Sequence, residues 1–195
     1  MMNGKLFIVV QIATKGEIMG CDIHIRLEKM NKEGEWESID YYKIREDWED
    51  SKKYHPSTFP FFPVDIYDGR DYELFGILAG VRSSYPNSIV EPRGIPDSAN
   101  HFIKDEYEAR KDFIHTPSWL TLGELRKTWY AHMDDDPKDE DGCDNVYIRL
   151  LEGIIKPIEY RLADLWFVFA EDDVELEEAC RKYWNTVRIV FWFDN

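Results

Sequence analysis

The segment Cys21 to Glu28, CDIHIRLE, alternates strictly. Cys21, Ile23, Ile25 and Leu27 fall on one side, and Asp22, His24, Arg26 and Glu28 on the other. A period of two is the signature of a half-buried strand. NKEG at 31–34 is turn chemistry, and EWESIDYY at 35–42 can return as the second strand of a hairpin. Pro56, Pro60 and Pro63 then punctuate an aromatic stretch in a way that argues against a regular ladder. RDYELFGILAGVR, 70–82, spaces Leu74, Ile77, Leu78 and Val81 as one helical stripe, with Asp68 or Asp71 to cap its start. Residues 83–100 read as a loop, and 101–113 as a short polar helix.

In SWLTLGELRKTWY, Thr121 and Glu124 form a capping box ahead of a stripe of Leu122, Leu125 and Trp129. Residues 145–170 carry the longest helical pattern, from Leu151 through Ile154, Ile155, Ile158, Leu162, Leu165 and Trp166 to Phe169. Pro157 is expected to kink it or mark a boundary. A short helix near 174–184 and a β-branched, aromatic closing run, VRIVFWFDN, complete the chain. No βαβ alternation and no Gly-rich phosphate loop occur. The pattern predicts an α+β fold. A small antiparallel sheet contains the first and last strands, with three to four helices packed on one face.

Composition narrows the classes. The chain has 195 residues, 44% hydrophobic and 15% aromatic, enough for one folded domain with a real core. No apolar stretch reaches the roughly 18 residues of a membrane span. Cys21, Cys143 and Cys180 are odd in number and scattered, which fits a reducing cytoplasm rather than a disulfide framework. The net charge of −15 opposes binding to nucleic-acid backbones. Part of it is local: residues 134–144 hold seven acids and one lysine, and read as a solvated loop. The same segment fails as an EF-hand, because Pro137 and Ile148 stand at ligand positions. Residues 1–18 are expected to be a translated leader ahead of a single domain, 19–195. One codon spelling of Lys15-Gly16-Glu17-Ile18-Met19 contains AAGGAG, a ribosome-binding sequence, shortly before the ATG. The alternative is an additional N-terminal strand.

Three groups of side chains could carry chemistry. Asp22 and His24 share a strand face about 7 Å apart, a spacing that presents two metal ligands or a base with its orienting carboxylate. A divalent metal needs more ligands, and His115 and Asp194 are the candidates to complete the set. The bland alternative is a wet polar face whose Asp22, His24, Arg26 and Glu28 pair across strands. Arg93, in the stiff EPRGIPD loop, can offer its fork to a phosphate, or else satisfies loop carbonyls and an acidic neighbour. His115, Thr116 and Ser118 precede the capped helix and could line an anion pocket at its N-terminus, against ordinary capping. Arg26 would add a further cation, and some of the aromatic rings could stack on a base.

MGCDIH, RDYELFGILAGVR, PRGIP, HTPSWLT and VRIVFWFDN together resemble a family of uncharacterised bacteriophage and prophage proteins, from Met19 to Asn195. The resemblance implies origin and supplies no activity. For a small phage accessory protein, it suggests work against host defence in the cytoplasm of an infected bacterium. The expected function is binding, by sequestering or degrading, of a small anionic, nucleotide-like immune signal. The expected ligand residues are Arg26, Arg93, His115, Thr116 and Ser118, in a protein that forms a homo-oligomer. Two rival readings stand beside it. One is a metal-dependent hydrolase built on Asp22 and His24, the other an acidic interaction protein that inhibits a host enzyme. The residues leave open whether the protein is an enzyme.

Overall fold

The computed structural model describes residues 20–40, 42–44, 46, 49, 61–82, 88–135, 145–166 and 171–194. Its elements are β1 (Asp22–Met30), β2 (Trp36–Ser38), β3 (Tyr42–Ile44), β4 (Phe61–Pro63), α1 (Tyr72–Ala79), α2 (His101–Arg110), β5 (Ile114–Thr121), α3 (Leu122–Asp135), α4 (Val146–Trp166), α5 (Asp173–Arg181) and β6 (Val187–Asp194). The expected leader, most of the acidic loop, Phe169, Pro56 and Pro60 lie outside the described residues.

The main sheet is antiparallel, in the order β2-β1-β6-β5. The first and last strands are therefore central neighbours. Their register runs from Asp22 opposite Asp194 to Lys29 opposite Val187. The β1–β2 turn forms because the Asn31 side chain accepts from the backbone of Glu33 and Glu35, and Gly34 takes φ 85°. Asp71 caps α1, and Gly80, at φ 69°, ends it. The Thr121–Glu124 capping box closes as expected: Glu124 N–H donates to Thr121 Oγ1 at 3.1 Å, and Thr121 N–H to Glu124 Oε2 at 2.8 Å.

One face of the sheet is apolar. Cys21, Ile23, Ile25 and Leu27 meet Val187, Ile189, Phe191 and Phe193, and share one core with buried residues of α1, α3, α4 and α5. A buried ion pair, Arg126 to Glu159 at 2.9 and 2.5 Å, ties α3 to α4, and Arg126 reaches Glu177 of α5 at 3.2 Å. The opposite face is covered too. The remaining helix, α2, packs Ile103 on Val190 and Trp192, with Ala99 from the segment before it. Arg26, Glu28 and Arg188 on this face are 4%, 0% and 3% exposed. The polar face is therefore not wet at Arg26 and Glu28, which α2 and the segment before it cover, although the cross-strand pairing expected with it holds for Glu28 with Arg188 and His24 with Asp194.

Three further expectations are corrected. Phe61–Pro63 forms a short strand with Tyr42–Ile44, despite its proline. Pro63 ends that strand, where the missing N–H does least harm. His115, Thr116 and Ser118, expected as a pocket at the N-terminus of the capped helix, belong to a full edge strand, Ile114–Thr121. It accommodates Pro117 because the pairing with β6 is irregular between His115 and Ser118. Helix α4 runs through Pro157, which sets aside the boundary, one of the two expected readings of that proline.

Candidate functional site

Arg26 and Arg93, the two expected anion-binding arginines, are each engaged inside the protein. Arg26 donates to Glu106 of α2 through Nε and Nη2, both at 2.7 Å, and to Asp65 at 2.5 Å. Burial works against its charge. The two carboxylates outweigh that and hold its pKa above the ordinary value. At half-buried Glu106 partial burial pushes the carboxyl up, and the same pair outweighs it and holds the group below the usual carboxylate range. Arg93 forks onto Glu124 at 2.6 and 3.1 Å, donates to the Trp119 carbonyl at 3.3 Å, and lies over the Trp119 ring at 4.6 Å. Its neighbour Gly94 donates to the Pro117 carbonyl at 3.0 Å. The EPRGIPD loop therefore satisfies the free edge of β5, and Arg93 takes the structural one of its two readings. Ser118 is fully buried, its hydroxyl accepting from Arg93 N–H at 3.2 Å.

Asp22, His24 and Asp194 do meet. His24 Nε2 lies 3.0 Å from Asp194 Oδ2, and Asp194 Oδ1 accepts from Asp22 N–H at 3.1 Å. Both Asp22 oxygens are taken by Arg70, at 2.6 and 2.7 Å. That pair holds the Asp22 carboxyl below its ordinary pKa. His115 is opposite Phe193 and stacks on its ring, so it faces the apolar layer while His24 faces α2. The expected set of Asp22, His24, His115 and Asp194 is split between the two faces. Among the described residues no group of three His, Cys, Asp or Glu side chains is placed to hold a metal ion.

These residues nevertheless gather at one end of the sheet, where β1 begins, β6 ends and β5 begins. Residues the sequence did not single out complete the cluster. The Tyr72 hydroxyl accepts from Cys21 N–H at 3.4 Å, and the Arg82 guanidinium lies 5.7 Å from the centre of the Tyr72 ring. Cys21 Sγ is 4.0 Å from His115 Nε2. Burial pushes the Cys21 thiol up, against the pull of the Arg82 charge. His115 Nδ1 is 2.9 Å from Thr116 Oγ1, a contact that fixes the ring.

Two non-glycine residues among those described have a left-handed backbone: Arg82 at φ 52° and Thr116 at φ 49°. Both belong to this cluster. Such a conformation costs an L-residue on the order of 1 kcal/mol or more and persists only where its surroundings impose it. Arg70 and Arg82 are exposed at the rim, whereas His24, His115 and Thr116 are half-buried. This end of the sheet thus carries two surface guanidinium groups and two half-buried imidazoles, His115 on the apolar face and His24 on the face toward α2. No sequence signal joins Arg70, Tyr72 and Arg82 to Cys21, because the link is made by α1 crossing the end of the sheet.

Two cavities, of about 270 and 380 Å³, lie elsewhere. The first is walled by Tyr160 and the acids Asp164, Glu171, Asp172 and Asp173. The second is walled by Trp36, Ser98, Asn100, His101 and Lys104. Among the described residues no helix is long and apolar enough to cross a membrane. No protein-family model matches the chain, no curated protein matches it, and no solved structure matches it.

Proposed function

We propose that the protein binds a small anionic, nucleotide-like ligand at the end of the sheet where β1 begins and β6 ends. The observation that carries this reading is that the Cys21 thiol has His115 at 4.0 Å and the Arg82 charge beside it, and that the two left-handed residues are Arg82 itself and Thr116, the partner of His115. Backbone strain of this kind concentrates where a side chain must be aimed for a task. Here the strained residues bring the Arg82 charge and the His115 ring to bear on Cys21. Arg82 supplies the fork that matches a phosphate, and His115 a second donor. Tyr72 offers a ring beside them. In this reading the cations of the site are Arg82 and Arg70, the two exposed arginines at this end of the sheet.

The biological setting rests on the resemblance of the sequence motifs to phage proteins. A phage accessory protein with such a site would hold or destroy a host immune signal in the cytoplasm of the infected cell. The test is calorimetry of the whole chain against cyclic dinucleotides and ADP-ribose-type nucleotides. Binding at or below the order of tens of micromolar is expected for one of them, weakened at least about tenfold by Arg82→Ala. The reading fails if no nucleotide binds, or if Arg82→Ala binds as the unmodified protein does.

A further inference from the structure

We infer that Arg70 is a second oxyanion-binding group of this site, and that the Asp22 carboxylate occupies the place of the ligand's oxyanion. The inference rests on the ligand reading above. Its basis is the shape and exposure of one ion pair. Arg70 presents Nε and Nη2 side by side to the two oxygens of Asp22, at 2.6 and 2.7 Å. That parallel arrangement is the one a phosphate, sulfate or carboxylate takes on an arginine. The two side chains are 53% and 49% exposed, so a solute can reach both. Exposed pairs of this kind contribute little stability and exchange readily.

The buried arginines are a contrast within the same molecule. The Arg26, Arg126 and Arg188 side chains are only 5%, 5% and 3% exposed, and for Arg126 and Arg188 the bonded Glu159 and Glu28 carboxylates are buried with them, out of reach of a solute. Arg70 is also held in place from behind. A Cβ built on Gly20 would lie 2.2 Å from Arg70 Nη1, so the guanidinium rests against backbone that a side chain would otherwise cover. Arg70 and Arg82 flank Tyr72, one just before the start of α1 and the other just past its end. Asp194 exerts its charge on both Arg70 and Cys21, which places the two halves of the cluster within electrostatic reach of each other. A ligand with two linked phosphates offers one oxyanion to each of the two arginines, which a single phosphate does not. On binding, one phosphate takes the Arg70 fork and Asp22 turns to solvent.

Asp22 is therefore an internal competitor, and removing its charge should tighten binding. Calorimetry with inorganic pyrophosphate tests this on the whole chain, its Asp22→Asn and Arg70→Ala variants, and the double variant. Asp22→Asn should bind about three- to fivefold more tightly than the unmodified protein, the scale of one exposed ion pair. Arg70→Ala should bind more weakly, and Asp22→Asn should bring no gain in the Arg70→Ala background. A gain that persists without Arg70 would be a diffuse charge effect and would overturn the inference. So would an Asp22→Asn variant that binds pyrophosphate no more tightly than the parent. Melting temperatures confirm that each variant is folded. If neither pyrophosphate nor any nucleotide binds any of these proteins, the ligand reading itself falls. If nucleotides bind and Asp22→Asn is no tighter, only the Arg70 assignment falls.

Discussion

The two faces of the sheet are built from the same strands and are buried by opposite chemistry. On one, Ile23, Ile25 and Leu27 pack against Ile189, Phe191 and Phe193 under four helices. On the other, Arg26 and Glu28 are no more exposed, yet they are charged and held by Glu106, Asp65 and Arg188. The apolar face needs nothing but volume. The charged face needs a specific partner for every group, because a buried charge without one is very costly. Glu28 lies opposite Arg188 in the register and bonds it at 2.7 Å, and its other oxygen accepts from Asn100 N–H at 2.6 Å. Trp36 covers the Arg188 guanidinium at 3.8 Å. A period of two therefore reports which residues share a side. It does not report which side is wet.

The comparison predicts its largest effect at Glu28. Glu28→Ala leaves the Arg188 charge buried without its carboxylate, and should cost about 3–5 kcal/mol in urea unfolding. Phe191→Ala on the apolar face should cost a similar 3–5 kcal/mol, by cavity formation. The two faces separate in the repair. Glu28→Leu combined with Arg188→Met should recover most of the loss, since an apolar pair removes both charges together. A double variant as unstable as Glu28→Ala would mean that the pair stabilises in itself, and the contrast between the faces would be lost.

A smaller effect should appear at Asp40, where β2 has ended and a side chain takes over the edge of β1. Its two oxygens lie 3.2 and 3.1 Å from Leu27 N, and burial pushes its pKa up to about 7. A carboxyl with a raised folded pKa stabilises the fold fully only below its ordinary value near 4. That contribution is lost as pH rises through about 7. Between pH 5 and pH 8 the unmodified protein should lose about 2–3 kcal/mol relative to Asp40→Asn, whose amide oxygen can still accept from Leu27 N–H. Parallel pH profiles for the two proteins would show that Asp40 is not the buried acid it is taken to be.

The same contrast explains what was legible in the chain. Apolar periodicity located β1, β6, α1, α3 and α4, because these elements bury a stripe that chemistry alone identifies. The capping box at Thr121 and Glu124 was legible because its partners are three residues apart. The partners of Arg26 were not: Asp65 and Glu106 are 39 and 80 residues away, and only the packing of α2 brings Glu106 in. Strand β5 was hidden because Pro117 and the left-handed Thr116 break its pattern, and its outer carbonyls are satisfied by a loop rather than by another strand. At the sheet end, Asp22 and His24 were visible as a pair on one strand. Their meeting with Asp194 followed once the terminal strands were neighbours. Arg70 and Arg82 carry no local signature of a site, since each belongs to a flank of α1 that reads as an ordinary helix boundary.

The smallest effect concerns Arg93, and it tests whether the loop arginine belongs to the fold or to the ligand site. Arg93 is about a third exposed, as is its partner Glu124, so the ion pair itself is worth at most about 1 kcal/mol. Its bond to the Trp119 carbonyl adds the modest net value of one exposed hydrogen bond. Arg93→Ala should therefore lower unfolding stability by about 1 kcal/mol. It should also speed amide exchange along β5, whose free edge the loop covers. Nucleotide affinity should stay within about twofold of the parent, whereas Arg82→Ala loses it. A variant with full stability and lost affinity would invert these assignments. It would place the anion site at the β5 edge, and reduce the cluster around Cys21 to a strained corner of the fold.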